Sequence, residues 1–151
     1  MIDVEIEDAA WRAALPRAEA LVLAAAEAAL AQEGAVGEGV SLLLTDDSSA
    51  RDLNRRFRGQ DRPTNVLSFP APQNPERFLG DVALAYGVCA READEQGKPL
   101  AHHLQHLVAH GVLHLLGYDH VSDAQAEAME GLERAILAGL GIPDPYAARP
   151  N

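Results

Sequence analysis

A chain of 151 residues, 48% of them apolar, can build one core without staples, and no apolar run in it approaches the ~18–20 residues that cross a bilayer. A net charge of −11 argues against a broad, nonspecific coating of nucleic acid, which needs many Lys and Arg against phosphates. The single cysteine, Cys89, excludes an internal disulfide and a thiolate metal cluster; in the stretch AYGVCA it reads as a small buried hydrophobe.

The N-terminus, MIDVEIEDAAW, has neither a basic nor an apolar signal region, which points to the cytoplasm. IDVEI (2–6) alternates apolar and acidic residues, the period of a strand with one wet face. Pro16 opens an Ala- and Leu-rich helix to about Glu33, stopped by Gly34, Gly37 and Gly39. VSLLLT (40–45) is a buried strand, so a parallel pair with a helical crossover is predicted. DDSSARDLNRRF (46–57) is a helix capped by Asp46 or Asp47, with Leu53 and Phe57 on one face. A loop follows in which Pro63 blocks helix continuation. NVLSF (65–69) and GDVALAY (80–86) are two further strands around a Pro-rich loop, close enough to pair.

A helix covers about 87–96, and Gly97 stops it. Pro99 opens another to about Leu116, with Gly117 as a left-handed terminator. Ser122 and Gln125 form a capping-box pattern for a last helix, 123–139, and the tail with its prolines reads as irregular. The result is one domain over 1–151: an α+β fold with a small mixed four-stranded sheet packed by about five helices.

All six histidines fall between positions 102 and 120. His102, His106, His110 and His114 recur every four residues and form a stripe on one helix, whereas His103 points elsewhere. His110 and His114 are one turn apart, Gly117 lets the chain reverse, and His120 can swing back toward the same point. The spacing H-x-x-x-H-x-x-G-x-x-H matches the metal site of metzincin proteases. Three imidazoles leave a coordination position open, the layout of a catalytic centre at the end of a helix. Imidazole suits zinc, and also copper, iron or nickel. His106 has the same spacing to His110 but no third partner at a chain reversal, so it reads as a supporting or surface residue.

In zincin proteases a Glu after the first His is the general base. Here that position is Gly111, which argues against peptide hydrolysis by that route. Met129, where a Met-turn would be sought, falls in an amphipathic helix and reads as core.

HGVLHLLGYDH (110–120) resembles the H-G-x-L-H-L-x-G-Y-D-H motif of the YbeY family of bacterial endoribonucleases and ribosomal-RNA maturation factors. LNRRFRGQDRPTNVLSFP (53–70) is similar to a second motif of that family, with Asn65 where many relatives carry Asp, and LGDVAL (79–84) to a third. The resemblance implies one zinc ion per chain on His110, His114 and His120. It also implies a zinc-dependent endoribonuclease specific for single strands, acting in ribosomal-RNA maturation and ribosome quality control, and it places the family's functionally important arginine on Arg58. The implied partners are single-stranded and ribosomal RNA and ribosomal or ribosome-assembly proteins, with no membrane and no DNA. Arg58 suits the role, since a guanidinium is always charged and grips phosphate oxygens as a fork. It lies in an Arg-rich stretch with Arg51, Arg55, Arg56 and Arg62, of which Arg51 and Arg55 read as a solvated helix face. Tyr118 reads as packing of the turn, and Asp119 as either orienting a ligand histidine or capping that turn. Two other readings stand beside this one: a zinc metallopeptidase-like hydrolase, and a non-enzymatic ribosome assembly factor braced by its metal.

Overall fold

In the computed structural model, residues 1–62 and 64–147 are described. Strand β1 is Ile2–Ile6 and strand β2 is Gly39–Thr45, paired in parallel with Ile2 opposite Val40 and Ile6 opposite Leu44. The alternation read from β1 is physical: Asp3 and Glu5 are exposed while Ile2, Val4 and Ile6 lean on the core. β2 is a central strand with Val40, Leu42 and Leu44 fully buried. Strand β3 (Val66–Pro70) runs antiparallel to β4 (Phe78–Ala85), and β4 pairs in parallel with β2, giving the order β1-β2-β4-β3. The sheet is thus mixed and four-stranded, as predicted.

Among the described residues there are six helices, one more than predicted. The added one, α1, is Ala10–Ala14, too short to show a helical period. It is held by Trp11, whose indole is fully buried, donates to the Thr45 carbonyl at 3.0 Å and meets the Tyr86 ring edge-on at 5.1 Å. Helix α2 (Ala18–Gln32) buries a stripe of mostly small residues, Ala18, Val22, Ala25, Ala26 and Ala29, and packs against α5 (Leu100–Leu115). The amide of Gln105 crosses that interface to donate to the Leu21 carbonyl at 2.9 Å.

Helix α3 (Asp47–Arg58) is capped by the Asp46 carboxylate, which accepts from the Ser49 amide at 2.6 Å. Leu53 and Phe57 lie one turn apart on α3, as read from the spacing, but they do not carry its burial. Leu53 is half-buried, Phe57 is 63% exposed, and the helix buries Ala50 and Asn54 instead. Gly59, in the left-handed region, ends it. Pro63, expected to be the stop, lies outside the described residues, as do residues 148–151 of the tail. Helix α4 (Tyr86–Gln96) takes its N-terminal cap from a neighbour: Asp47 accepts from the Val88 amide at 3.0 Å. Helix α6 (Asp123–Gly139) opens with the predicted capping box between Ser122 and Gln125. Among the described residues no helix is long and apolar enough to cross a membrane.

Candidate metal and active site

α5 runs through the middle of the molecule and is buried nearly all round, from Leu104 to Leu115. From position 102 to the end of the helix, its partly exposed positions are His102, His106, His110 and His114, the four-residue stripe read from the sequence. At its end the chain reverses on Gly117, whose φ is +102°. The Gly117 amide donates to the His114 carbonyl at 3.0 Å and the Tyr118 amide to the Leu113 carbonyl at 3.1 Å, closing the last turn. The Tyr118 hydroxyl donates to Glu33 at the end of α2, so Tyr118 pins the turn to the core. Asp119 accepts from the His120 amide at 2.8 Å: it caps its own turn and orients no ring among the described residues.

This reversal brings His120 back to α5. Its ring lies 5.5 Å from that of His110 and 5.1 Å from that of His114, and one nitrogen from each of the three rings falls within 4.8 Å of the others. The Nε2 atoms of His110 and His114 are 3.1 Å apart. A cation bound at ~2.0–2.1 Å to tetrahedrally arranged nitrogens spaces them about 3.3 Å apart, so the donor set and its spacing fit a divalent metal. Burial, then the neighbouring His110 and His120, hold the His114 imidazole below its usual 6.5, which favours the neutral ring that a ligand must be.

The sequence reading missed Glu133, on α6. Its carboxylate is 1% exposed and takes Nδ1 of His110 at 3.2 Å and Nε2 of His106 at 2.8 Å, while the Tyr146 hydroxyl donates to its other oxygen at 2.7 Å. A carboxylate only accepts, so the His110 proton sits on Nδ1 and Nε2 keeps its lone pair toward His114. Burial by itself would raise the Glu133 pKa; hydrogen bonds from His106, His110 and Tyr146 outweigh it and hold the group at about 2. Of the two readings of His106, supporting or surface residue, its contact with Glu133 favours the first. The signal for Glu133 was present: it shares the stripe of Met129, Ile136 and Leu137, an acid in an apolar register. His103, fully turned away, meets Glu92 on α4 at 2.9 Å, and the Asn65 amide donates to the same Glu92 oxygen at 3.0 Å. An Asp at position 65 would have no proton to offer there.

Gly111 lies on the face of α5 that presses on the sheet. A Cβ there would come 2.7 Å from Cγ1 of Val82 and 3.2 Å from Oγ of Ser68, which itself donates to the Gly111 carbonyl at 3.1 Å. No glutamate fits, so the base of the zincin proteases is absent for a steric reason.

Arg58 stands across from the histidines. One terminal nitrogen donates to the Ser68 carbonyl at 2.6 Å, and the guanidinium lies 5.8 Å from the centre of the Phe69 ring. A cleft of about 400 Å³ is lined by Arg58, Asn65, Ser68, His110, His114 and His120 among others, so all four residues selected from the sequence share one cavity. Arg51 and Arg55 form exposed ion pairs, as expected of a solvated helix face: Arg51 with Asp61 at 2.8 Å and Arg55 with Asp52 at 2.7 Å; Arg56 reaches the same Asp52 at 3.3 Å. Cys89 is fully buried, and burial pushes its thiol well above the usual range, so it is inert.

A protein-family model described as "Endoribonuclease YbeY" matches residues 3–141. Curated relatives named "Endoribonuclease YbeY" include one from Rhodopseudomonas palustris strain BisB5, 52% identical over 96% of this chain and 80% of its own length. Another, from Azorhizobium caulinodans, is 55% identical over 97% of this chain and 96% of its own. Among solved structures, the solution structure of TM1509 from Thermotoga maritima superposes with a TM-score of 0.60 at 26% identity, over 98% of this chain and all of that one. With the family model, both relatives and the histidine motif in agreement, the chain belongs to the YbeY family.

Proposed function

We propose that the protein is a zinc-dependent endoribonuclease that cuts single-stranded RNA in the maturation of ribosomal RNA and in ribosome quality control. The observation that carries this is the shared cleft, in which three imidazoles face one arginine. His110, His114 and His120 hold the cation, and zinc is the ion whose geometry and preference for imidazole suit them best. When bound, the cation supplies Lewis acidity toward a phosphoryl oxygen and lowers the pKa of water. Arg58 binds the phosphate and offsets its charge as the bond breaks; its tie to the Ser68 carbonyl presets the guanidinium before RNA arrives. Glu133 fixes the tautomer of His110. The whole chain, 1–151, works as one domain in the cytoplasm, with ribosomal or ribosome-assembly proteins bringing an acidic enzyme to its RNA.

The test pairs metal analysis of the purified protein with cleavage of an unstructured RNA oligomer. Cleavage should stop with chelator, return with zinc, fall roughly 10²–10³-fold in Arg58→Ala and vanish with metal binding in His114→Ala. Full activity of repurified His114→Ala would refute the assignment. Preferential cleavage of casein would favour a metallopeptidase, against which the sterically required Gly111 stands. RNA maturation in cells that survives loss of both Arg58 and the metal would favour a non-enzymatic assembly factor.

A further inference from the structure

Phe57 is 63% exposed in the last turn of α3, one residue before the Arg58 that lines the cleft. It is not a loose side chain. Its ring meets the Phe69 ring at 5.5 Å with a 61° interplanar angle, and the Arg56 guanidinium lies 5.8 Å from its centre. Phe69 in turn lies 5.8 Å from the Arg58 guanidinium and follows Ser68, whose carbonyl holds that arginine. A supported aromatic ring therefore stands at the edge of the sheet, joined through Phe69 to the arginine of the cleft.

Its electrostatic setting differs from the rest of the molecule. Residues 51–62 carry five arginines and two aspartates in a chain whose net charge is −11. The aspartates pair with Arg51, Arg55 and Arg56 only in exposed ion pairs. Such pairs are worth little and exchange readily for phosphate. An aromatic ring among arginines, next to a phosphate-binding site, has the makings of a single-strand platform: the ring takes a base face and the cations take the backbone.

We propose that Phe57 is a stacking platform for a base of the RNA strand flanking the scissile phosphate, with Arg56 and Arg58 placed for the phosphates on either side of that base. This rests on the endoribonuclease reading and adds the subsite that gives the acidic protein its hold on unpaired RNA. A duplex cannot use it, because a paired and stacked base offers no free face.

The experiment uses the zinc-loaded protein and a single-stranded RNA oligomer. Phe57→Ala and Phe57→Leu should each raise KM about tenfold, the ratio that ~1.4 kcal/mol of base stacking gives, with the loss falling in KM rather than kcat. Phe57→Tyr and Phe57→Trp should restore it. Because Trp11 is fully buried, the indole introduced by Phe57→Trp reports separately from it; its fluorescence should be quenched by the RNA oligomer and not by an abasic ribose-phosphate oligomer of equal length. Phe57→Leu with the KM of the parent protein, or equal quenching by both oligomers, would overturn the proposal. So would an unchanged KM in Phe57→Ala combined with lost RNA maturation in cells, which would assign the patch to a protein partner. A parent protein that cuts no RNA would instead overturn the endoribonuclease reading, while the quenching comparison would still decide whether Phe57 stacks on bases.

Discussion

Two residues of the site owe their identity to what lies behind them. Gly111 is helical, and alanine would ordinarily stabilise a helix there by about 1 kcal/mol. Here the added methyl would meet Cγ1 of Val82 at 2.7 Å, a side chain that is itself fully buried in the sheet. Overpacking of that kind costs ~1–3 kcal/mol. Gly111→Ala should therefore lower the urea midpoint, whereas Gly131→Ala on α6, where no atom lies within 4 Å of the new Cβ, should raise it by up to ~1 kcal/mol of stability. Equal effects at the two sites would refute the packing account. Glu133 is the second case. Glu133→Gln keeps an acceptor but adds an N–H that must compete with His106 and His110, and the zinc affinity measured by chelator competition should fall roughly 10–100-fold. Tyr146→Phe, which removes one donor and leaves the carboxylate in place, should fall by less. The three histidines were legible because their spacing is local to one helix end and its turn. Glu133 was legible only as an acid in an apolar register; its role was not, because that exists only once α6 has docked on α5, 23 residues from His110 along the chain.

At the scale of elements, legibility follows the strength of the period. The alternation of β1 and the capping box of α6 survive intact because each is set by neighbours in sequence. α1 was invisible because one buried tryptophan, not a repeat, holds it. The exposure of Phe57 could not be read from α3, because its i, i+4 spacing to Leu53 says that the two side chains share a face and not that the face is buried. α5 carries a further consequence. His103 is buried against α4, and burial lowers its pKa below the usual 6.5, a shift that its contact with Glu92 opposes without cancelling. The unfolded chain thus binds a proton near pH 6.5 that the folded chain refuses. Stability should be complete above that pH and should fall as pH drops from about 6.5 toward the lowered folded value. Metal-free protein unfolded in urea at pH 7.5 and pH 5.5 should show this loss, and His103→Gln, which cannot titrate, should show a smaller one. An unchanged slope in His103→Gln would place the effect elsewhere, with His114, whose pKa is shifted in the same direction, as the next group to replace.

For the molecule as a whole, the proposed metal site is where separate parts of the chain meet. His110 and His114 come from α5, and His120 from the turn that Tyr118 ties to α2. Through Glu133, α6 and the Tyr146 segment also reach His110. A cation that binds only the folded arrangement therefore stabilises contacts among all of these. Ligand linkage sets the size: at a free zinc concentration 100 times Kd the gain is about 2.7 kcal/mol, and a chain of this length converts that into a Tm increase of roughly 5–10 °C. His120 offers its nitrogen from an exposed turn, so His120→Ala removes the proposed ligand without opening the core. Scanned without metal, His120→Ala should melt within about 1–2 °C of the parent protein, since exposed substitutions cost little. With zinc present the parent should gain its 5–10 °C and the variant most of it should lose. A variant that gains as much from zinc as the parent would mean that the ion is held elsewhere, because two imidazoles on one helix cannot match three that also draw in the turn.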